Sequence, residues 1–132
     1  MNEFSDSIVS PHDLFAKETI GRVEIARSIL QTYLPPALVR ALDWSTLKRE
    51  QGQFVDEHLR SRYSDLLFSC QAQGHTVLPY LLFEHFSQPE KQAPLRLLGY
   101  MHSIWNEWGK QNPAADTLQP IIPVVFHQGA RE

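Results

Sequence analysis

The fold of this chain is decided by two apolar runs, Tyr-Ser-Asp-Leu-Leu-Phe-Ser at residues 63–69 and Leu-Pro-Tyr-Leu-Leu-Phe-Glu-His at residues 78–85. Between them lies Gln-Gly-His-Thr, and a glycine followed by any residue is a favoured two-residue hairpin turn. The runs therefore predict one β-hairpin. With the turn centred on Gly74 and His75, Asp65 lies directly opposite Glu84, and directly paired residues have Cβ atoms roughly 5 Å apart on one face.

Two carboxylates that close repel each other unless they share a proton or a cation. Such an oxygen-rich site suits Mg²⁺ or Mn²⁺. A metal held by Asp65, Glu84 and a backbone carbonyl could polarise a phosphoryl oxygen and lower the pKa of a bound water, which is the minimum equipment for phosphodiester hydrolysis. A lysine or glutamine two residues after the glutamate would complete the site. Taken alone, the two acids fit a turn or surface pair at the strand ends better than a metal site.

Composition limits the classes of function. At 132 residues with a hydrophobic fraction of 42%, the chain is predicted to form a single domain with a real core. A net charge of −3 excludes nucleic-acid binding by bulk charge. Any DNA contact needs local basic clusters, although each candidate is also consistent with solvated surface charge. The candidates are Arg60 with Arg62, Lys48 with Arg49, and Arg22 with Arg27.

Targeting and redox signals are absent from the sequence. No apolar run approaches the roughly 20 residues that span a bilayer, and the first residues lack the basic start of a secretory signal. The lone Cys70 excludes an intramolecular disulfide, and its apolar surroundings predict a core side chain. The six histidines show no zinc-binding spacing. A cytoplasmic protein without membrane contact is the simplest expectation.

Helical periodicity surrounds the hairpin. Residues 1–10 are expected to be a flexible terminus, followed by a helix from Ser10 that Gly21 interrupts. Apolar residues then recur at helical spacing over residues 23–33, and Pro35 and Pro36 end that helix. A short helix over 37–42, a polar strand over 45–49 and a single-turn segment over 54–59 are expected before the hairpin.

A second long helix is expected after the hairpin. Ser87 and Glu90 form a potential capping box at its start. Its apolar face is predicted to contain Leu95, Leu98, Met101, His102, Trp105 and Trp108. The continuously apolar run at 121–126 then predicts a buried strand, although Pro123 removes one ladder hydrogen bond. This strand–helix–strand crossover implies a parallel pair in a mixed sheet with helices packed on it.

The chain resembles a known family in a series of ordered blocks. These blocks are Pro-His-Asp at 11–13, Tyr-Leu-Pro at 33–35, Leu-Asp-Trp-Ser-Thr-Leu at 42–47, Phe-Val-Asp-Glu-His-Leu-Arg at 54–60, Tyr-Ser-Asp-Leu-Leu-Phe at 63–68, Glu-His at 84–85, Leu-Arg-Leu-Leu-Gly-Tyr-Met at 95–101 and Ile-Pro-Val-Val-Phe-His at 122–127. Over about residues 11–129 the chain resembles the Rpn (YhgA-like) family of recombination-promoting nucleases, within the PD-(D/E)XK nuclease superfamily.

This resemblance implies an α/β, restriction-endonuclease-like domain with the element order αβββαβ, covering residues 11–132 and lacking the family's C-terminal region. It implies a Mg²⁺- or Mn²⁺-dependent DNA endonuclease of bacterial recombination or mobile systems. Asp65 and Glu84 match the family's catalytic, metal-binding acids. The chain departs from the family at Phe86, where the family has glutamine, and phenylalanine can hydrogen-bond neither a water nor a phosphate.

The resemblance also implies how DNA is held. Arg96, Arg60, Arg62 and Lys17 are expected to contact phosphates, which predicts weak sequence specificity. Arg96 equally fits a salt bridge to Glu84 or Asp65. A homodimer and a location at the nucleoid are further expectations. Two alternatives remain: a catalytically impaired remnant that binds DNA or protein, and an interaction module that recruits a partner through its last strand.

Overall fold

The structure, a computed structural model, describes residues 22–85 and 91–127. The elements within these ranges are α1 (Val23–Tyr33), α2 (Pro36–Ala41), β1 (Asp43–Arg49), a 3-10 turn (Glu57–Leu59), β2 (Tyr63–Ala72), β3 (His75–Glu84), α3 (Ala93–Gln111) and β4 (Ile121–His127). The predicted mixed α/β class and the predicted order of these elements are confirmed. The expected flexible terminus, the helix before Gly21 and the helix start at Ser87 lie outside the described residues.

Two prolines set the boundary between α1 and α2. α1 ends where the Leu34 N–H donates to the Leu30 carbonyl, and the next residue, Pro35, adopts an extended conformation. Pro36 opens α2, because its fixed φ suits the first helical position and its missing N–H would have no partner there. Both helices therefore have the limits that the sequence predicts to within one residue.

The sheet contains four strands in the order β1-β2-β3-β4. β1, β2 and β3 pair antiparallel, and β3 pairs parallel with β4 across the α3 connection. The predicted parallel crossover is confirmed. β1 and β4 are the edges of the described sheet, and Pro123 in β4 therefore costs little pairing, since an edge strand has a free side.

The hairpin between β2 and β3 has a different register from the predicted one. Ala72 pairs with His75, so the two turn residues are Gln73 and Gly74, with φ values of 54° and 83°. Two consecutive positive φ values are typical of a type I′ turn, whose twist matches that of the flanking strands. The prediction that Asp65 directly faces Glu84 is wrong, because the pairs are Asp65 with Leu82 and Tyr63 with Glu84.

The sheet separates two apolar cores. One face packs against α1 and α2, and its buried side chains include Ala26, Leu30, Leu34, Leu42, Leu47, Leu66, Phe68, Cys70, Val77 and Leu81. The other face packs against α3, and its buried side chains include Val55, Tyr63, Leu67, Leu78, Tyr80, Leu82, Tyr100 and Ile104. Because side chains alternate along a strand, Asp65 and Glu84 lie on this second face, the α3 face.

α3 packs through a different stripe from the one predicted. Tyr100 and Ile104 are buried, with Leu97 and Trp108 packed beside them, whereas Leu95 and Leu98 are 64% and 60% exposed. The predicted apolar face is therefore wrong at its first turns. Two apolar stripes run along this helix, and contact with the sheet selects one of them. No helix within the described ranges is both long and apolar enough to cross a bilayer.

Candidate active site

Asp65 is a buried acid whose carboxylate is held by the protein. It lies near the start of β2 and is only 2% exposed. Its Oδ2 accepts hydrogen bonds from the Phe54 backbone N–H at 2.9 Å and from the Tyr80 hydroxyl at 2.8 Å. These bonds fix the carboxylate and offset part of the cost of burying a charge.

Tyr80 acts as a permanent donor to this carboxylate. Burial, together with the negative charge of Asp65, raises the pKa of Tyr80 far above its ordinary value of 10.0. The phenol therefore keeps its proton near neutral pH and donates it to Oδ2. Phe54 packs edge-on against the Tyr80 ring, so the segment that precedes β2 is tied to Asp65 by both its backbone and its side chain.

Glu84 ends β3 and is 6% exposed. In the parallel register it pairs with His127, the last residue of β4, and its Oε1 lies 2.7 Å from the His127 Nδ1. The side chain of His127 is 35% exposed. The second acid is thus partnered by an imidazole that reaches the surface at the carboxyl ends of both parallel strands.

The two acids share a face and one end of the sheet. Asp65 pairs with Leu82, two residues before Glu84, so the acids are diagonal neighbours on adjacent strands. Such positions lie about 7–8 Å apart, within the joint reach of two carboxylates around one cation. In α/β sheets this end, beyond the carboxyl termini of parallel strands, is where ligands commonly bind. The expectation of a common face for the acids is confirmed, although their direct opposition is not.

A third acid does not join this pair among the described side chains. Within residues 22–85 and 91–127, no group of three or more His, Cys, Asp or Glu side chains is close enough to hold a metal ion. Glu50 accepts a hydrogen bond from the Ser69 hydroxyl at 2.6 Å. Asp56 caps the 3-10 turn by accepting from the His58 N–H, and both Asp56 and Glu57 are exposed.

Three of the predicted phosphate contacts lie in the described part of the chain. Arg60 and Arg62 are exposed between the 3-10 turn and β2, and the Arg62 carbonyl accepts from the His85 N–H at 2.7 Å. This bond places Arg62 at the same end of the sheet as Glu84. Arg96 lies in the first turns of α3 and is half-buried. Lys17 and Phe86 lie outside the described residues.

Sequence reasoning missed the partners of the acids. The hydrogen bond from Tyr80 to Asp65 depends on the register of the hairpin. His127 stands beside Glu84 only because β4 pairs in parallel, forty-three residues later in the chain. The available signal was the crossover itself, which brings the ends of two successive parallel strands together.

Comparison with known proteins gives a family match over most of the chain. The family described as "Putative transposase, YhgA-like" matches residues 10–132. The recombination-promoting nuclease RpnC of Escherichia coli (strain K12) is 32% identical over 120 residues, which are 91% of this chain and 39% of that protein. The recombination-promoting nuclease RpnD of Escherichia coli O157:H7 is 31% identical over 134 residues, 99% of this chain and 49% of that protein.

A relative named as inactive is equally similar. The inactive recombination-promoting nuclease-like protein RpnE of Escherichia coli (strain K12) is 31% identical over 120 residues, 91% of this chain and 40% of that protein. The chain thus spans two fifths to half of the length of these three relatives. No solved structure matches. Overall similarity does not separate active from inactive relatives, so the site residues must decide the function.

Proposed function

The chain belongs to the YhgA-like transposase family, and on that premise we propose that it is a Mg²⁺-dependent DNA endonuclease domain with a restriction-endonuclease-like fold. One observation carries the proposal. Two buried carboxylates, Asp65 and Glu84, lie on one face of the sheet, near the same end of adjacent strands. Burial of a charged carboxylate is costly, and two such acids on one face near the end of a sheet fit a site that binds a cation.

The donor set fits the proposed ion. Mg²⁺ is commonly bound through one or two carboxylates, while waters and substrate phosphates complete its coordination. Asp65 and Glu84 would hold it, and Mn²⁺ has the same ligand preference. When bound, the ion would polarise a phosphoryl oxygen and make hydroxide available near neutral pH.

The chain's own residues would orient the acids and the DNA. Tyr80 and the Phe54 N–H fix one carboxylate oxygen of Asp65. The exposed guanidinium groups of Arg60 and Arg62 would attract phosphates at the edge of the site, while Arg96 would act from α3. Phosphate contacts position the duplex without reading bases, which supports weak sequence specificity in a role in recombination or mobile elements. A DNA substrate would place the protein at the bacterial nucleoid. That the protein forms a homodimer stays a prediction.

A plasmid-nicking assay tests this function. Nicking should require Mg²⁺ or Mn²⁺ and should fall by at least about 100-fold in Asp65→Asn, which keeps the size of the side chain but removes its charge. Asp116→Asn, at an exposed loop position, is the matched control and should nick like the unaltered protein. Equal nicking by the unaltered protein and Asp65→Asn would contradict the proposal.

The second candidate is a catalytically impaired remnant that retains DNA or protein binding. Phe86 favours it, because the residue two positions after Glu84 carries no polar group, and the relative named RpnE is inactive. DNA binding without Asp65-dependent nicking would support this candidate. A nicking rate that appears only in Phe86→Gln would show that Phe86 is the cause of the impairment.

A further inference from the structure

A polar groove lies beside Asp65, between the loop that follows β1 and the helix α3. Residues 51–54 line it on the loop side. Its other side consists of three exposed polar side chains of α3, Ser103, Glu107 and Gln111. Its volume is about 480 Å³, within the range of roughly 300–1,000 Å³ that is typical of ligand pockets. Because Phe54 of this groove also donates its N–H to Asp65, the groove begins one hydrogen bond away from the proposed metal-binding acid.

The loop side of the groove is held in place around Phe54. The Phe54 ring packs edge-on against Tyr80, with the ring centroids 6.4 Å apart, and its N–H donates to Asp65 at 2.9 Å. Gly52 has a φ of 122°, and a Cβ at this position would lie 3.2 Å from the tip of the Phe54 ring. Glycine thus lets the chain turn closely around this ring. The groove therefore has an aromatic surface that is positioned before any ligand binds.

The α3 side of the groove presents hydrogen-bond acceptors. Ser103, Glu107 and Gln111 recur every four residues and therefore share one stripe of the helix. The Ser103 hydroxyl donates to the Gly99 carbonyl at 3.2 Å, and the Gln111 amide nitrogen donates to the Glu107 carboxylate at 3.1 Å. These bonds use donors of Ser103 and Gln111, whereas the oxygen atoms of all three side chains can accept further bonds. This side of the groove is thus negatively charged and rich in acceptors.

Such a surface discriminates among the chemical groups of DNA. A carboxylate repels phosphates, so the groove does not suit the DNA backbone. It suits a donor, and the donors in the major groove are the amino groups of adenine and cytosine, where guanine and thymine carry oxygen. Glutamate commonly accepts from cytosine, and glutamine pairs with adenine. On the loop side, Gln51 and Gln53 are exposed, and their amides can donate and accept as the other polar atoms of such a base require.

We propose that the groove binds one nucleobase with an exocyclic amino group, adenine or cytosine, beside the phosphodiester that is cut. This inference rests on the proposed function and adds a base contact to it. Glu107 and Gln111 accept hydrogen bonds from the amino group, while the base packs against the ring of Phe54. The proposed arginine contacts to phosphates read no bases, so this contact gives a preference at one position within otherwise weak specificity.

Sequencing of the ends that the protein produces from random-sequence DNA with Mg²⁺ tests this preference. At one fixed position from the cut, adenine or cytosine should exceed thymine by at least about fivefold, as a hydrogen bond to a base edge predicts. Glu107→Ala should bring this ratio close to one, because the charged acceptor is lost. Glu24→Ala, at an exposed acid of α1, is the matched control and should keep the ratio of the unaltered protein.

Two outcomes of the sequencing would overturn the inference. The first is equal cutting at all four bases by the unaltered protein, and the second is an unchanged ratio in Glu107→Ala. A purely structural role of Glu107 would change the rate on every sequence by the same factor and leave the ratio unchanged. Asp65-dependent nicking would still support the proposed function in both cases.

A measurement without cleavage tests the groove by itself. NMR of the metal-free protein follows the side-chain amides of Gln53 and Gln111 during titration with short single-stranded oligothymidylates. These carry adenine, cytosine or thymine at the central position, so their charges are equal. The amide signals should shift with central adenine or cytosine, but not with thymine, and Glu107→Ala should abolish the difference.

Equal shifts with all three oligonucleotides, or no shift with any of them, would overturn the inference. Selective shifts in a protein that does not nick DNA would support base binding by the groove and overturn the proposed nuclease function. The two proposals can therefore fail separately.

Discussion

The two faces of the sheet differ in what they bury. The face toward α1 and α2 holds aliphatic and aromatic side chains and the Cys70 thiol. The α3 face buries a second apolar core but adds Asp65, Ser69 and Glu84, which are 2%, 5% and 6% exposed, with the acids near one end of the sheet. Both faces therefore stabilise the domain through apolar burial. The α3 face also buries carboxylates, whose removal from water costs free energy, in the place where chemistry is expected.

The largest effect is expected from a cavity in the apolar face. Phe68 is a residue of β2, and its side chain is fully buried in the core between the sheet and α1. Phe68→Ala should lower the free energy of unfolding by about 3–5 kcal/mol, through lost burial and an unfilled cavity. Urea unfolding measures this change. Val125→Ala, at a 44% exposed position on the edge strand, should lower the free energy of unfolding far less. Equal losses in the two variants would contradict the difference between the core and the sheet edge.

A smaller loss is expected on the α3 face when one donor to Asp65 is removed. Tyr80→Phe keeps the ring and its packing but leaves the buried carboxylate without the hydroxyl. We expect a loss of about 1.5–3 kcal/mol in the free energy of unfolding, the usual range for a hydrogen bond to a charged group. Tyr33→Phe is the control, since Tyr33 is 68% exposed. If Tyr80→Phe has the same free energy of unfolding as the unaltered protein, Asp65 does not need this donor.

The raised pKa of Tyr80 predicts a loss of stability at alkaline pH. Below pH 10 the phenol is protonated in both the folded and the unfolded chain, so it adds no pH dependence. Above that value the unfolded chain releases a proton that the folded protein retains, and stability falls by about 1.4 kcal/mol per pH unit. Urea unfolding at a series of alkaline pH values should show that the free energy of unfolding falls less steeply with pH in Tyr80→Phe than in the unaltered protein. Equal slopes in the two proteins would contradict a raised pKa of Tyr80.

The smallest effect concerns the hairpin that sets the register of both faces. Gln73 has a φ of 54°, which asparagine tolerates better than glutamine. Gln73→Asn should therefore raise the free energy of unfolding by about 0.5 kcal/mol, whereas Gly74→Ala, at a φ of 83°, should lower it by about 1 kcal/mol. Thermal unfolding measures both. If the turn residues were instead Gly74 and His75, Gln73→Asn would leave the free energy of unfolding unchanged.

Local signals were sufficient for much of this architecture. Helical spacing and two prolines set α1 and α2, and two apolar runs set the hairpin. The register error shifted the partner of Asp65 by two residues, from Glu84 to Leu82. Because side chains alternate with period two, an even shift preserves the face, and so the predicted pairing was wrong while the shared face of the acids was right.

Non-local packing decided what local signals could not. The apolar residues of α3 fit two stripes, and only contact with the sheet selects Tyr100 and Ile104 over Leu95 and Leu98. His127 reaches Glu84 through the parallel register of β3 and β4, which no local spacing encodes. The shared face of the two acids thus followed from the sequence, whereas the groups that hold them did not.

The central claim is that neighbouring strands bring two carboxylates to one point that a divalent ion occupies. Titration of the metal-free protein with Mn²⁺, followed by electron paramagnetic resonance, tests it most directly. We predict one bound ion, whose affinity falls at least about tenfold in Asp65→Asn and in Glu84→Gln, while Asp116→Asn binds as the unaltered protein does. Equal affinity in all four proteins, or the absence of a bound ion in the unaltered protein, would contradict the claim.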